Sequence, residues 1–217
     1  MSDSRFKIFI VDQRKNGYDP IARILEDAGY DLQEYTTADD FLVAYAADEP
    51  ACLILHVPTC ASDAAAVQEH LRARGAWLPI IVVSTDGDVA NAVRAMKAGV
   101  VDFILEPFRD DDLLVRTRGA LAIARHEFHE ARERSSFEAR LRLLTVRERQ
   151  ILRRLLEGKP TKIIAEDLSI SQKTVEVHRY HLLRKMGATS SIQLAARAGR
   201  FWHSVRNTGW QRTDPAA

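Results

Sequence analysis

Cysteine is almost missing from this chain. Cys52 and Cys60 are the only two among 217 residues, too few for a disulfide framework, and a reducing compartment is the default. Long apolar runs are missing too: no stretch approaches the roughly 20 residues that a membrane span needs. The opening residues, MSDSRFKIFIVD, lack the basic segment, apolar segment and small-residue cleavage site of a secretory signal. These absences point to the cytoplasm and to no membrane partner. Neither a phosphate-cradling glycine loop nor a nucleophile beside a base is visible, so no enzyme and no cofactor is expected. Internal repeats and low-complexity tracts are absent as well.

An excess of one charge is also lacking, since the formal net charge is +1. That balance hides two opposite halves. Residues 1–112 hold 10 Lys/Arg against 20 Asp/Glu, whereas residues 113–217 hold 21 against 10. Only the second half has the charge to meet a polyanion. Mutual attraction of the halves is the plainer meaning of the same pattern, and the two are compatible. At 217 residues the chain has room for two ordinary domains, each with its own core.

Residues 5–108 alternate two patterns. Lys7–Val11, Cys52–Val57, Pro79–Ser84 and Val101–Leu105 are short, β-branched and apolar, as strands buried on both faces are. A weaker strand is expected near Leu32–Tyr35. Helical patterns lie between them. Asp19 can cap a helix that Pro20 begins and Gly29 ends; Thr37 and Asp40 make a partial capping box before Phe41, Leu42 and Tyr45. Val89, Ala92, Val93 and Met96 share one face, with Gly99 as the stop. Alternation of this kind predicts an α/β domain with a five-stranded parallel sheet covered by helices on both sides.

From Asp110 to about Leu144 there is neither a strand pattern nor a proline. Leu114, Leu121 and Phe128 recur every seven residues, and the seam decays at Ser135. A solvated amphipathic helix is the favoured meaning, because a coiled coil needs ~3–4 sustained heptads. A short helical dimer contact is the alternative. Residues 145–199 are helical with short breaks. Thr145-x-x-Glu148 opens a helix that ends near Gly158, and Thr161–Leu168 forms a second. Ser169-Ile170 turns, Ser171 caps Gln172–Met186, and Ser190-x-x-Gln193 opens a fourth helix that Gly199 closes. Phe201–Ala217 reads as a loosely attached tail.

Two helices joined by so short a turn form the unit that offers its second helix to a DNA major groove. Val175, Leu182, Leu183 and Met186 lie near one face of that helix and should pack inward. Lys173, Thr174, Glu176, Val177, Tyr180, Arg184 and Lys185 point elsewhere. Residues 143–200 hold 12 Lys/Arg against 5 Asp/Glu, and such cations supply affinity for phosphate. His178 has no partner at zinc spacing and reads as a packing residue, so no metal is expected there.

The run KTVEVHRYHLLRKM, within residues 144–199, closely resembles the LuxR/FixJ-type (NarL-type) output domain. The resemblance implies an all-α, four-helix domain bound to double-stranded DNA. It nominates Glu176, Val177 and Tyr180 for base edges, and Lys173, Thr174, Arg179 and Lys185 for phosphates, with Arg184 beside them. Glu176 stands where a basic residue is common; a carboxylate there can accept from cytosine N4 or make no contact.

Residues 5–120 resemble a response-regulator receiver, most specifically in AVRAMKAGVVDFILEPF. The resemblance implies the flavodoxin-like strand order 2-1-3-4-5, with chemistry at the carboxyl ends of the strands. Phosphotransfer there uses an acidic pair for Mg²⁺, an acceptor aspartate ending the third strand, a Ser or Thr ending the fourth and a lysine ending the fifth. Asp12 and Ser84 are retained. Gln13 replaces the second acid, His56 the acceptor, and Glu106, just before Pro107, the lysine. A carboxylate in place of lysine inverts the local charge and repels a phosphoryl group. His56 is expected to hydrogen-bond Asp12 or Glu106 and fill the pocket. The sharper alternatives are that it titrates, or that Asp12, His56 and Glu106 hold a divalent transition metal. Cys52 shares strand parity with Ile54 and His56 and reads as core, and Cys60 falls in a loop. Phe103 stands at the receiver's reorienting aromatic, or is an ordinary sheet aromatic.

These features predict a receiver-like domain lacking its phosphoacceptor over residues 1–120, and a helical linker over 121–143. A LuxR-type helix-turn-helix domain over 144–200 and a tail over 201–217 follow. The expected activity is sequence-specific DNA binding without aspartyl phosphate, by a homodimer, with a sensor protein or another regulator as the controlling partner. The competing class is an adaptor that sequesters such a partner, with DNA binding secondary.

Overall fold

The strand-like runs pair into one parallel sheet. It contains β1 (Lys7–Asp12), β2 (Asp31–Tyr35), β3 (Ala51–His56), β4 (Ile80–Ser84) and β5 (Asp102–Leu105), in the order β2-β1-β3-β4-β5. Helices α1 (Pro20–Asp27), α2 (Ala38–Ala44), α3 (Ser62–Ala73) and α4 (Val89–Ala98) connect the strands, and α5 (Asp110–Arg142) follows. The structure is a computed structural model that describes residues 6–12, 20–57 and 62–207, without the side chains of 62, 63 and 202–207. Asp19, Gln13, Cys60 and residues 208–217, each named above as a cap, a pocket residue, a loop thiol or tail, lie outside the described residues.

Successive strand side chains point to opposite faces, and both faces of this sheet are covered. Phe9, Val11, Leu53, Leu55, Ile80 and Val82 pack with Phe41 of α2, Leu71 of α3 and Ala95 of α4. Ile8, Ile10, Cys52, Ile54, Ile81, Val83 and Ile104 face Ile21 and Leu25 of α1 and Leu113 and Leu121 of α5. Two-sided burial explains the unbroken apolar runs of the central strands, and edge strand β2, largely exposed, shows the weaker pattern. Burial pushes the Cys52 thiol up to about 12, so it stays protonated and behaves as a small apolar side chain. At the helix ends, Thr37 Oγ1 accepts from Asp40 N, and Gly99 closes α4 at φ +101°. Asp88 adds a cap that was not anticipated, its Oδ1 accepting from Ala90 N.

The chain divides into two compact units at His129 and Glu130, inside α5. The second unit joins the end of α5 to α6 (Val146–Leu156), α7 (Thr161–Asp167), α8 (Gln172–Met186) and α9 (Ser191–Asn207). Its core gathers Phe137, Leu141, Ile151, Leu152, Ile164, Val175, Leu182, Met186, Leu194 and Phe201. The heptad seam ends at Ser135, but α5 stays helical to Arg142, as expected of a helical linker, because Phe137 and Leu141 reach this core and hold its last turns. One expectation is corrected here. α9 does not stop at Gly199: burial of Phe201 outweighs the ~1 kcal/mol that an interior helical glycine costs. The tail therefore does not begin at residue 201. Among the described residues no helix is long and apolar enough to cross a membrane.

Candidate nucleic-acid interface and sheet-top pocket

The capping box expected at α6 is complete: Thr145 Oγ1 accepts from Glu148 N, and Glu148 Oε2 accepts from Thr145 N. α7 follows Pro160 without a side-chain cap. The turn to α8 is closed by Ile170 N donating to Ala165 O at 3.0 Å, with Ser169 at φ +52°. Ser171 Oγ accepts from Thr174 N at 3.0 Å and starts α8, and Gly187, at φ +61°, ends it. Val175, Leu182 and Met186 are fully buried, so α8 is bolted to α6 and α7 along one side.

The opposite side of α8 is open. Lys173, Glu176, Val177, Tyr180 and Arg184 are exposed. Val177 at 49% and Tyr180 at 63% add nothing to the core, yet they sit between cations. At about 100° per residue, Lys173, Val177, Tyr180 and Arg184 form one stripe, with Glu176 at its edge. Thr174 and Arg179 are half-buried on the flanks. Lys185 is half-buried too, its Nζ 2.7 Å from the buried Glu148 Oε2. His181 shares the exposed stripe and was not singled out beforehand; its spacing, four after Val177 and three before Arg184, was the available signal. Its ring centroid lies 5.5 Å from that of Tyr180. A helix that is apolar beneath and cationic with two bare non-polar surfaces above fits a groove with phosphate walls and base edges within.

At the sheet's carboxyl end, strand parity and register assemble a second constellation. Asp12 follows Ile8 and Ile10, and His56 follows Cys52 and Ile54, so both continue the same face of the sheet. Asp12 and His56 are direct register partners across β1 and β3. Glu106, whose N donates to Ser84 O, extends the line of Ile104 one step past β5, before a cis bond to Pro107. His56 is completely buried. Its Nδ1 lies 3.7 Å from Asp12 Oδ1 and its Nε2 lies 3.4 Å from Glu106 Oε2. Ser84 is buried at the end of β4, its Oγ accepting from Asp86 N. The carboxylates thus flank opposite edges of the ring rather than converging on one point. Among the described residues, no group of three His, Cys, Asp or Glu side chains is arranged to hold a metal ion.

Two family models match the chain. The response regulator receiver domain covers residues 8–118, and bacterial regulatory proteins of the luxR family cover residues 142–198. The response regulator protein TmoT of Ectopseudomonas mendocina is 34% identical over 206 residues, 95% of this chain and 94% of its own length. The transcriptional regulatory protein FixJ of Azorhizobium caulinodans is 34% identical over 191 residues, 88% of this chain and 90% of its own. Among solved structures, a low-resolution structure of the response regulator StyR superposes with a TM-score of 0.76 at 29% identity. That superposition covers 91% of this chain and 100% of the StyR chain.

Proposed function

This chain belongs to the response regulators of LuxR/FixJ type, DNA-binding transcription regulators rather than enzymes, and we propose that it works without aspartyl phosphate. One observation carries the reading: His56 occupies the end of β3, beside Asp12, with Glu106 3.4 Å away. An imidazole cannot form the acyl phosphate that an aspartate forms. Glu106 sets negative charge where a phosphoryl group would need a cation. The Mg²⁺ that receivers use does not fit either, because it requires oxygen ligands and the trio offers a nitrogen between two separated acids.

In the second unit, Glu176, Val177 and Tyr180 are the proposed readers of base edges. Lys173, Thr174, Arg179, Arg184 and Lys185 are the proposed phosphate contacts, on a domain that begins at residue 144. A homodimer is part of the proposal: Val89, Val93 and Met96 on α4 and Leu105 on β5 leave apolar surface exposed on the first unit. Control comes from a protein that docks on that unit. The test is direct. Incubation with acetyl phosphate and Mg²⁺ is expected to add no phosphoryl group, and a salt-dependent footprint on a promoter should be the same with and without the donor. A stoichiometric acyl-phosphate adduct would overturn the reading.

A further inference from the structure

The cations of α8 are Lys173, Arg179, Arg184 and Lys185, and its single acid is Glu176. A carboxylate on a surface that meets phosphates weakens binding to every DNA sequence. Local structure gives no reason for this one. Glu176 is exposed and adds nothing to the core. It lies past the first turn of α8, the stretch where the helix dipole favours an acid, and Ser171 already supplies the cap. Lys173 and Arg179 stand three residues before and after it, at the spacing of helical ion pairs. Yet among the described residues the Glu176 carboxylate makes neither an ion pair nor a hydrogen bond, whereas Glu148, Glu157 and Asp167 nearby in the chain each meet a cation.

Around the helix axis Glu176 falls beside Tyr180, at the edge of the exposed stripe and in the amino-terminal half of α8. That half of the second helix is the part that meets base edges when such a unit enters a major groove. The four bases do not receive a carboxylate alike. Guanine shows two acceptors there, and thymine an acceptor and a methyl group. Adenine sets its N7 acceptor beside its amino group. Cytosine offers an amino donor and no acceptor of its own.

We propose that Glu176 selects cytosine: its carboxylate accepts a hydrogen bond from the N4 amino group of one cytosine, at a fixed position in the site that α8 occupies, and its charge rejects the other three bases there. The acid lowers affinity for DNA in general and raises the contrast between sequences. Its unpaired state in the free protein serves this role, because no internal cation has to be released before the base is met. The inference rests on the proposal that α8 enters the major groove, and it names the base that one of its side chains requires.

The test uses the full chain and a library of randomised DNA duplexes, the bound duplexes being separated and sequenced. Wild type should return sites with cytosine at one position that Glu176→Ala leaves unspecified, the rest of the site being the same. Glu176→Gln should return adenine there, since an amide matches adenine N6 and N7. In a duplex bearing the selected site, replacing that cytosine by pyrimidin-2-one removes the amino group alone. This should weaken wild type about tenfold and leave the affinity of Glu176→Ala unchanged. Random DNA should bind Glu176→Ala more tightly than wild type. Both variants should keep the wild-type urea midpoint, because the carboxylate has no partner in the fold to lose. A selected site that Glu176→Ala leaves unaltered, or one where the base lost with the acid is not cytosine, overturns the role of Glu176 and leaves the major-groove proposal intact. A wild type that enriches no sequence at all overturns the reading of α8 as a base reader, and this inference falls with it.

Discussion

Lys185 Nζ on α8 stands 2.7 Å from Oε2 of Glu148, a carboxylate buried in α6. The same Oε2 accepts from Thr145 N at 2.7 Å. One acid therefore caps the first helix of the DNA-binding unit and anchors α8. Burial by itself would raise the Glu148 carboxyl, but the hydrogen bonds from Lys185 and Thr145 prevail and hold it below the ordinary glutamate range.

Glu148→Gln keeps the shape and removes the charge. It should lower stability by about 1–3 kcal/mol near neutral pH, read from urea midpoints. Glu148→Ala also removes half the capping box and should cost more. The pH dependence has a definite sign. A carboxyl held lower in the folded than in the unfolded state adds stability above its unfolded range, and that stability is lost as pH falls through the folded value. The gap between wild type and Glu148→Gln should therefore narrow in acid. A gap that widened would contradict the assignment.

Much of this was legible in the sequence, for physical reasons. Parity along KIFIVD and ACLILH already puts Asp12 and His56 on the face of Ile10 and Ile54, because the strand period is two. The register that pairs Asp12 with His56 was not legible, since it depends on how β1 and β3 slide past each other. The open stripe of α8 follows from a period of 3.6, which includes His181 as much as Tyr180. The pairing of Lys185 with Glu148 joins positions far apart in the chain, and no local pattern carries it. Gly199 signalled a stop only because Phe201, two residues on, could not be seen to be buried.

Ser169 is the one described non-glycine residue at positive φ, +52°, in the turn that sets α8 against α7. The left-handed region costs an ordinary residue about 1–2 kcal/mol. Ser169→Gly should raise the urea midpoint, by about 0.5–1 kcal/mol once glycine's freedom in the unfolded chain is subtracted. Ser169→Val, β-branched and stiffer, should lower it and weaken DNA binding with it. The reverse order of midpoints would show that the turn is not strained.

Lys173 and Val177 share the exposed stripe but differ in chemistry, so their variants should separate two kinds of contact. Lys173→Ala should weaken all DNA alike and reduce the slope of log affinity against log salt by ~0.9. Val177→Ala should leave the slope unchanged while reducing the preference for the best site over random DNA, by about 1 kcal/mol or more. Lys185→Met should lower the slope and the urea midpoint together, because that ammonium also serves Glu148. Titrations across a salt series distinguish these outcomes. A changed slope for Val177→Ala would remove it from the base-reading set.

The end of α9 offers a contrast between packing and charge at adjacent residues. Phe201 is buried, its ring centroid 5.6 Å from that of Phe137 on α5. Arg200, exposed, bridges Glu130 and Glu133 on the same helix and lies over the Phe201 ring. Truncating a buried phenylalanine leaves a cavity and typically costs about 3–5 kcal/mol. An exposed ion pair is worth about 0–1 kcal/mol and is screened by salt. Phe201→Ala should therefore lower the urea midpoint far more than Arg200→Ala, and the gap between them should persist in high salt. A chain ending at Gly199 should behave like Phe201→Ala or worse. If Arg200→Ala proved as damaging as Phe201→Ala, and salt relieved the difference from wild type, charge rather than burial would be what carries α9 past its glycine.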